Sequence, residues 1–178
     1  NQDNTKFEHR NVKWVPGLYK CFDEAIVNAR DHAIRMQLSK EKKKHLVKNI
    51  EVSCIDGVIE IMNDGNGIDI AMHPKDKLWI PEMIFMHLRT STNYDDEEKK
   101  LVGGKNGYGI KLVFVFAKWG EIETIDHIRK LKYTQRVESN LSKIHPPKIE
   151  KYTGKPYTKV RWMPDYAKFG LDAMTSDI

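Results

Sequence analysis

The sequence predicts an α+β fold. Three observations carry this: one long helical stretch near the start, β-prone runs grouped together rather than alternating with helices, and turn residues bounding those runs. With 178 residues and 40% apolar side chains, the chain suits one domain with a real core. No run approaches the ~20 apolar residues that a membrane-spanning helix needs, so no membrane association is expected.

The elements follow in order. Residues 1–13 are polar and read as an arm. Pro16 sits near the first turn of a helix reaching about Met36, where its missing N–H costs nothing. Residues 40–45 form a charge run without interleaved aromatics, which reads as a solvated loop or helix end. Runs at 50–55 and 58–62 flank Asp56-Gly57, a pair that tolerates positive φ and so predicts a hairpin. Five turn residues follow, Asn63-Asp64-Gly65-Asn66-Gly67. A short helix is expected at 81–88, an irregular Gly-rich segment at 89–109 and a buried helix at 110–116. Further strands are expected at 120–126, 131–138 and 157–163, with Pro146-Pro147 as a break. No internal repeat or domain linker is visible.

Composition narrows the function classes. Thirty Lys and Arg against 25 Asp and Glu give a net charge of +5, which admits an anionic partner without choosing between nucleic acid and nucleotide. Cys21 and Cys54 are too few for a disulfide scaffold or a zinc ribbon, and they fit a reducing compartment. The first residues carry neither an initiator Met nor a secretory apolar segment, so a piece of a longer protein is expected.

Three segments carry chemistry. On the first helix, Glu24, Asn28, Asp31 and His32 share one ~100° stripe, with Phe22, Ile26, Ala29 and Ala33 on the other side. The stripe reads either as a solvated face or as a site. A carboxylate one turn from a carboxamide, without the lysine usual opposite a surface Glu, can orient a water and ligate a hard cation. Asn63 at a strand end is either a turn residue or a carboxamide able to pair with a base edge. Gly103-Gly104-Lys105-Asn106-Gly107-Tyr108-Gly109, leading into an apolar helix, is either a flexible connector or a phosphate cradle of exposed N–H groups. It is not a P-loop, because Ile110 occupies the position that motif gives to Lys.

Together, Glu24-x-x-x-Asn28, Asn63-Asp64-Gly65-x-Gly67 and Gly104-x-Asn106-Gly107-Tyr108-Gly109 resemble the motifs of the ATPase superfamily shared by gyrase, heat-shock chaperones, sensor histidine kinases and mismatch-repair proteins. Val15 to Lys20, Ile80 to Phe85, Thr90 to Lys100 and Tyr157 to Val160 more narrowly resemble eukaryotic-type DNA topoisomerase II, from about residue 12 to the end. This resemblance implies a two-layer sandwich of the Bergerat type, a mixed sheet with helices on one face enclosing ATP. Glu24 would be the general base. Asn28 would ligate Mg²⁺, and Asn63 would read the adenine amino group. Ser91, Thr92 and Asn93 would contact ribose and phosphate, while Lys105, Asn106, Gly107, Tyr108, Gly109, Ile110 and Lys111 would hold the β- and γ-phosphates. His32, also on the nucleotide side, stands where the family usually has Asn. Lys105 replaces an Arg, losing its planar fork, and Ile110 replaces a small Ala.

The resemblance further implies one ATPase domain over residues 1–178, without the strap, transducer and cleavage core. Double-stranded DNA and a homodimer would then be partners of the full-length enzyme, in a nucleus or in a virus's host, while the fragment alone would be a monomer that cannot cut DNA. Two other readings are an ATP-dependent conformational switch of the same superfamily and a basic DNA-binding module.

Overall fold

A computed structural model of the chain describes residues 14–40, 44–87 and 109–174. Helix α1 spans Pro16–Leu38, with proline in its first turn. The hairpin follows as β1 (Ile50–Ile55) and β2 (Val58–Asp64). Asp56 and Gly57 have φ values of 50° and 75°, the double positive φ that a tight two-residue hairpin turn requires. Helices α2 (Ile80–Met86) and α3 (Gly109–Val115) come next. Strands β3 (Ala117–Asp126), β4 (Leu131–Glu138), β5 (Lys143–Ile144), β6 (Lys148–Lys151) and β7 (Tyr157–Pro164) complete the sheet. A short 3₁₀ turn covers Tyr166–Phe169.

The strand order is β1-β2-β7-β3-β4-β5, with β6 also on β4. The sheet is mixed in order rather than in direction, since every pairing between the named strands is antiparallel. The last strand in sequence is thus inserted at the centre, between the hairpin and β3. Two short strands beside Pro146-Pro147 were not expected from sequence. Both lie on the β4 edge, and the prolines separate them. Strand β2 also runs two residues further than its apolar pattern, because β7 supplies partners for Asn63 and Asp64.

Alternation decides the two faces. Ile59, Ile61, Val160, Trp162, Ile122, Tyr133 and Val137 point to one side and are buried there beneath the three helices. Gly120 makes room for this layer: a Cβ there would stand 2.3 Å from the ring of Phe114 on α3. The opposite face carries Glu121, Glu123, Lys132, Lys159 and Arg161, paired with one another. Among the described residues, no helix is long and apolar enough to cross a membrane.

Candidate functional site

Helix α1 buries Leu18, Cys21, Ala25 and Ala29. Of the apolar set expected from the sequence, only Ala29 is buried; Phe22, Ile26 and Ala33 are partly buried, so the seam is rotated toward the polar stripe. Because Ala25 and Ala29 are small, α3 packs closely on this helix, and the polar stripe borders the core instead of facing open water. Glu24, Asn28 and His32 are all half-buried along that border. Asp31 is buried, and its Oδ1 lies 3.5 Å from the Arg30 guanidinium without a hydrogen bond.

Glu24 meets the start of α3. An ideal Cβ at Gly109 would fall 1.7 Å from Glu24 Oε2, so a side chain there would displace this carboxylate. Its other oxygen, Oε1, accepts an ion pair from Lys20 at 2.8 Å. The absence of a lysine beside Glu24, expected from the stripe, is therefore corrected. Lys20 lies one turn N-terminal and also contacts Asp23 at 2.8 Å, so the stripe begins in an ion pair. Oε2 remains turned toward α3.

Asn28 donates its Nδ2 to the Glu24 backbone carbonyl at 3.1 Å. This fixes the carboxamide and leaves Oδ1 as its unengaged atom among the described residues. Two residues into α3, Lys111 is buried and meets no carboxylate among the described residues. Burial alone holds its ammonium below the ordinary lysine range. A buried cation without a counter-ion is costly, and an anionic ligand would offset that cost. Ile110 beside it packs into the core.

Asn63 lies on β2 directly opposite Thr158 of β7. It is buried, and its Nδ2 donates to the Asp64 carbonyl at 2.9 Å. Among the described residues, that leaves Oδ1 to accept from a donor. The Thr158 hydroxyl lies 2.9 Å from Thr124 Oγ1, which in turn accepts the Ile68 N–H at 2.9 Å. These two threonines were missed in the sequence. Their signal is two hydroxyl residues at inward positions of adjacent strands, visible only once the β3–β7 register pairs them. Asp64, by contrast, is spent on structure: Oδ1 accepts the N–H groups of Lys48 and Asn49.

His32 closes the far end of the stripe. Its Nε2 lies 2.7 Å from the Asn66 carbonyl. A carbonyl only accepts, so Nε2 carries the proton. Burial lowers the ring's pKa, against the opposing pull of that carbonyl. His32 lines a cavity of about 300 Å³ together with Asn66, Gly67, Asp69, Asp126 and His127. The structure thus brings Glu24, Asn28, Gly109, Ile110 and Lys111 together around the α1–α3 seam, with His32 further along α1 and Asn63 on the sheet. Ser91, Thr92, Asn93, Lys105, Asn106, Gly107 and Tyr108 lie outside the described residues.

No protein-family model matches the chain. The fold is that of an ATPase-domain sandwich: the 43K ATPase domain of Thermus thermophilus gyrase B matches with a TM-score of 0.68 at 19% identity, over 91% of this chain and 37% of that one. Within that class, the chain belongs with the ATPase regions of DNA topoisomerase II. The ATPase region of Saccharomyces cerevisiae topoisomerase II matches with a TM-score of 0.81 and 44% identity, covering 94% of this chain and 43% of that one. The DNA topoisomerase 2 of S. cerevisiae is 47% identical over 170 residues, 95% of this chain and 12% of the relative. That of Acanthamoeba polyphaga mimivirus is 41% identical over 176 residues, 99% of this chain and 14% of the relative. The chain therefore spans only a small part of the curated relatives it matches.

Proposed function

We propose that these residues bind and hydrolyse ATP as a single ATPase domain of a type II DNA topoisomerase. In the full-length enzyme, nucleotide binding would close a dimer gate and hydrolysis would reset it during passage of double-stranded DNA. The observation that carries this reading is the α1–α3 seam, where Glu24 Oε2 faces Gly109 and the buried Lys111, without a carboxylate among the described residues, stands two residues on.

The residues present have named tasks in this reading. Lys111 takes the terminal phosphates. Glu24 orients the attacking water and accepts its proton at Oε2, while Lys20 holds Oε1. The Asn63 carbonyl oxygen accepts from the adenine amino group, with the Thr158–Thr124 hydroxyl pair beside it. The donor set fits Mg²⁺: Asn28 offers one neutral oxygen. Among the described residues, no group of three or more His, Cys, Asp or Glu side chains could hold a metal, so phosphate and water would supply the remaining oxygens. When bound, Mg²⁺ would neutralise charge on the phosphates. Ser91 to Asn93 and Lys105 to Tyr108 are assigned to the nucleotide on sequence resemblance. A nuclear location, or a host compartment for a viral source, accompanies the same reading.

Titration with a non-hydrolysable ATP analogue, with and without Mg²⁺, tests it. Binding is expected in both conditions and should be tighter with the metal. Asn28→Ala should weaken the Mg²⁺-dependent affinity far more than the metal-free affinity. Equal losses would remove Asn28 from the metal, and no binding in either condition would overturn the nucleotide site.

A further inference from the structure

Glu82, in the first turn of α2, heads a polar chain that the nucleotide assignments leave unused. Its side chain is only 14% exposed, and both carboxylate oxygens are engaged. Oε1 accepts from His87 Nε2 at 2.9 Å, and Oε2 accepts from Gln135 Nε2 at 3.1 Å. Gln135 is buried on β4, and its amide nitrogen also donates to the His145 carbonyl at 2.9 Å. Its oxygen accepts from the Tyr133 hydroxyl. Burial, with the Glu82 charge adding to it, holds that phenol well above its ordinary range, so it stays a donor. Carboxylate and carbonyl oxygens only accept, so the orientation of the Gln135 amide is fixed. Apolar side chains of similar volume often fill such a space as stably. What the polar chain adds is direction: it holds α2 at one place on the sheet.

That place bears on the site. α2 has seven residues and no side-chain cap, too short to be stable alone, so its contacts decide where it lies. It packs on α3, with the Phe85 and Phe114 rings 6.2 Å apart. Phe114 is fully buried, and Gly120 bounds its ring on the sheet side, where a Cβ would stand 2.3 Å away. α3 is as short as α2 and touches both α2 and α1. A shift of α2 is therefore passed through Phe85 and Phe114 to α3, because a close-packed interior transmits strain. α3 carries Gly109 against Glu24, and Lys111 two residues on.

We propose that Glu82 is a positioning residue for the nucleotide site: by tying α2 to β4, it sets where α3 presents Lys111 to the phosphates. This rests on the nucleotide reading above. Glu82 itself touches no ligand and acts through α2 and α3.

The test is a double-variant cycle on the affinity for a non-hydrolysable ATP analogue, measured by calorimetry beside thermal melts. Glu82→Leu should weaken binding by about 10-fold, the lower end of what losing a charge-assisted contact costs. In a Lys111→Met chain, Glu82→Leu should cost less than about 2-fold, because the contact it misplaces is already gone. Glu82→Gln should restore binding close to that of the unaltered chain. Its oxygen accepts from Gln135, and its nitrogen donates to His87 with the imidazole proton moved to Nδ1. If Glu82→Leu fails to fold, Gln135→Leu breaks the same link from β4 and is read in the same way. A merely structural Glu82 would lower the melting temperature and leave affinity unchanged, or cost the same factor with and without Lys111. Either result overturns the proposal and leaves the nucleotide site standing. Failure of the unaltered chain to bind the analogue overturns both.

Discussion

Lys111 and Lys132 are both withdrawn from solvent, yet their environments pull their titrations in opposite directions. On the outer sheet face, Lys132 reaches Glu123 at 2.7 Å, and this contact raises its pKa. On the helix side, Lys111 has burial and no carboxylate among the described residues, so its pKa falls. The contrast extends to the two sheet faces. Outside, Glu123 also meets Lys159 at 3.2 Å and accepts the Tyr157 hydroxyl at 2.6 Å, while Glu121 meets Arg161 at 3.0 Å. Inside, Asn63 and Asn28 each spend a donor on a backbone carbonyl and keep an oxygen in reserve among the described residues. One face balances its own charges. The other leaves valences for a ligand.

The largest expected effect breaks the open side at its carboxylate. In the complete enzyme, Glu24→Gln should lower turnover by ~10²–10⁴ while changing nucleotide affinity only a few-fold. Phosphate-release kinetics beside a binding titration check this, and retained turnover would remove Glu24 as the base. Next comes Gly109→Ala, whose Cβ would overlap Glu24 Oε2. A misplacement of about 1 Å can cost ~10²-fold, so turnover should drop by that order without any change to the carboxylate itself.

Lys111→Met sharpens the comparison, since it should separate binding from stability. Loss of a charge-assisted contact costs ~1.5–3 kcal/mol, so ATP affinity should fall by about 10- to 150-fold. The melting temperature of the ligand-free chain should not fall, because the change removes a buried charge that no carboxylate among the described residues offsets. The lysine's pKa is lower folded than unfolded, so between those two values the unfolded state binds the extra proton. Its contribution to stability therefore rises with pH across that window, and Lys111→Met should abolish that rise.

The closed face gives the smallest effect. Burial would raise the Glu123 pKa, but Lys132, Tyr157 and Lys159 outweigh it and bring it down from 4.5 to about 2. The resulting stability is present above pH 4.5 and is lost as pH falls through about 2. Glu123 is partly exposed, so solvent screening reduces the effect, and Glu123→Gln should destabilise by about 1 kcal/mol at neutral pH. The same variant should flatten the acid side of the stability profile and leave nucleotide affinity unchanged.

Much of this arrangement was legible in the chain itself. Pro16, the spacing of Glu24, Asn28 and His32, the Asp56-Gly57 turn and the inward alternation of three strands act within a few residues of one another, so their periodicities can be read directly. Gly109 was legible as part of a cradle, but not as the residue opposite Glu24. The pairing of Lys20 with Glu24 is local too, but it lies one turn N-terminal to the stripe that begins at Glu24.

Other features required the tertiary structure. Inserting β7 between β2 and β3 sets Thr158 against both Asn63 and Thr124, a pairing between distant segments that no local period encodes. Packing α3 on the small residues of α1 buries Lys111 and places Gly109 against a carboxylate. Residue types determined which groups could bind a nucleotide. Long-range register and desolvation decided which of their atoms were left unpaired, because a hydrogen-bond valence is filled or left open by whatever the fold brings within about 3 Å of it.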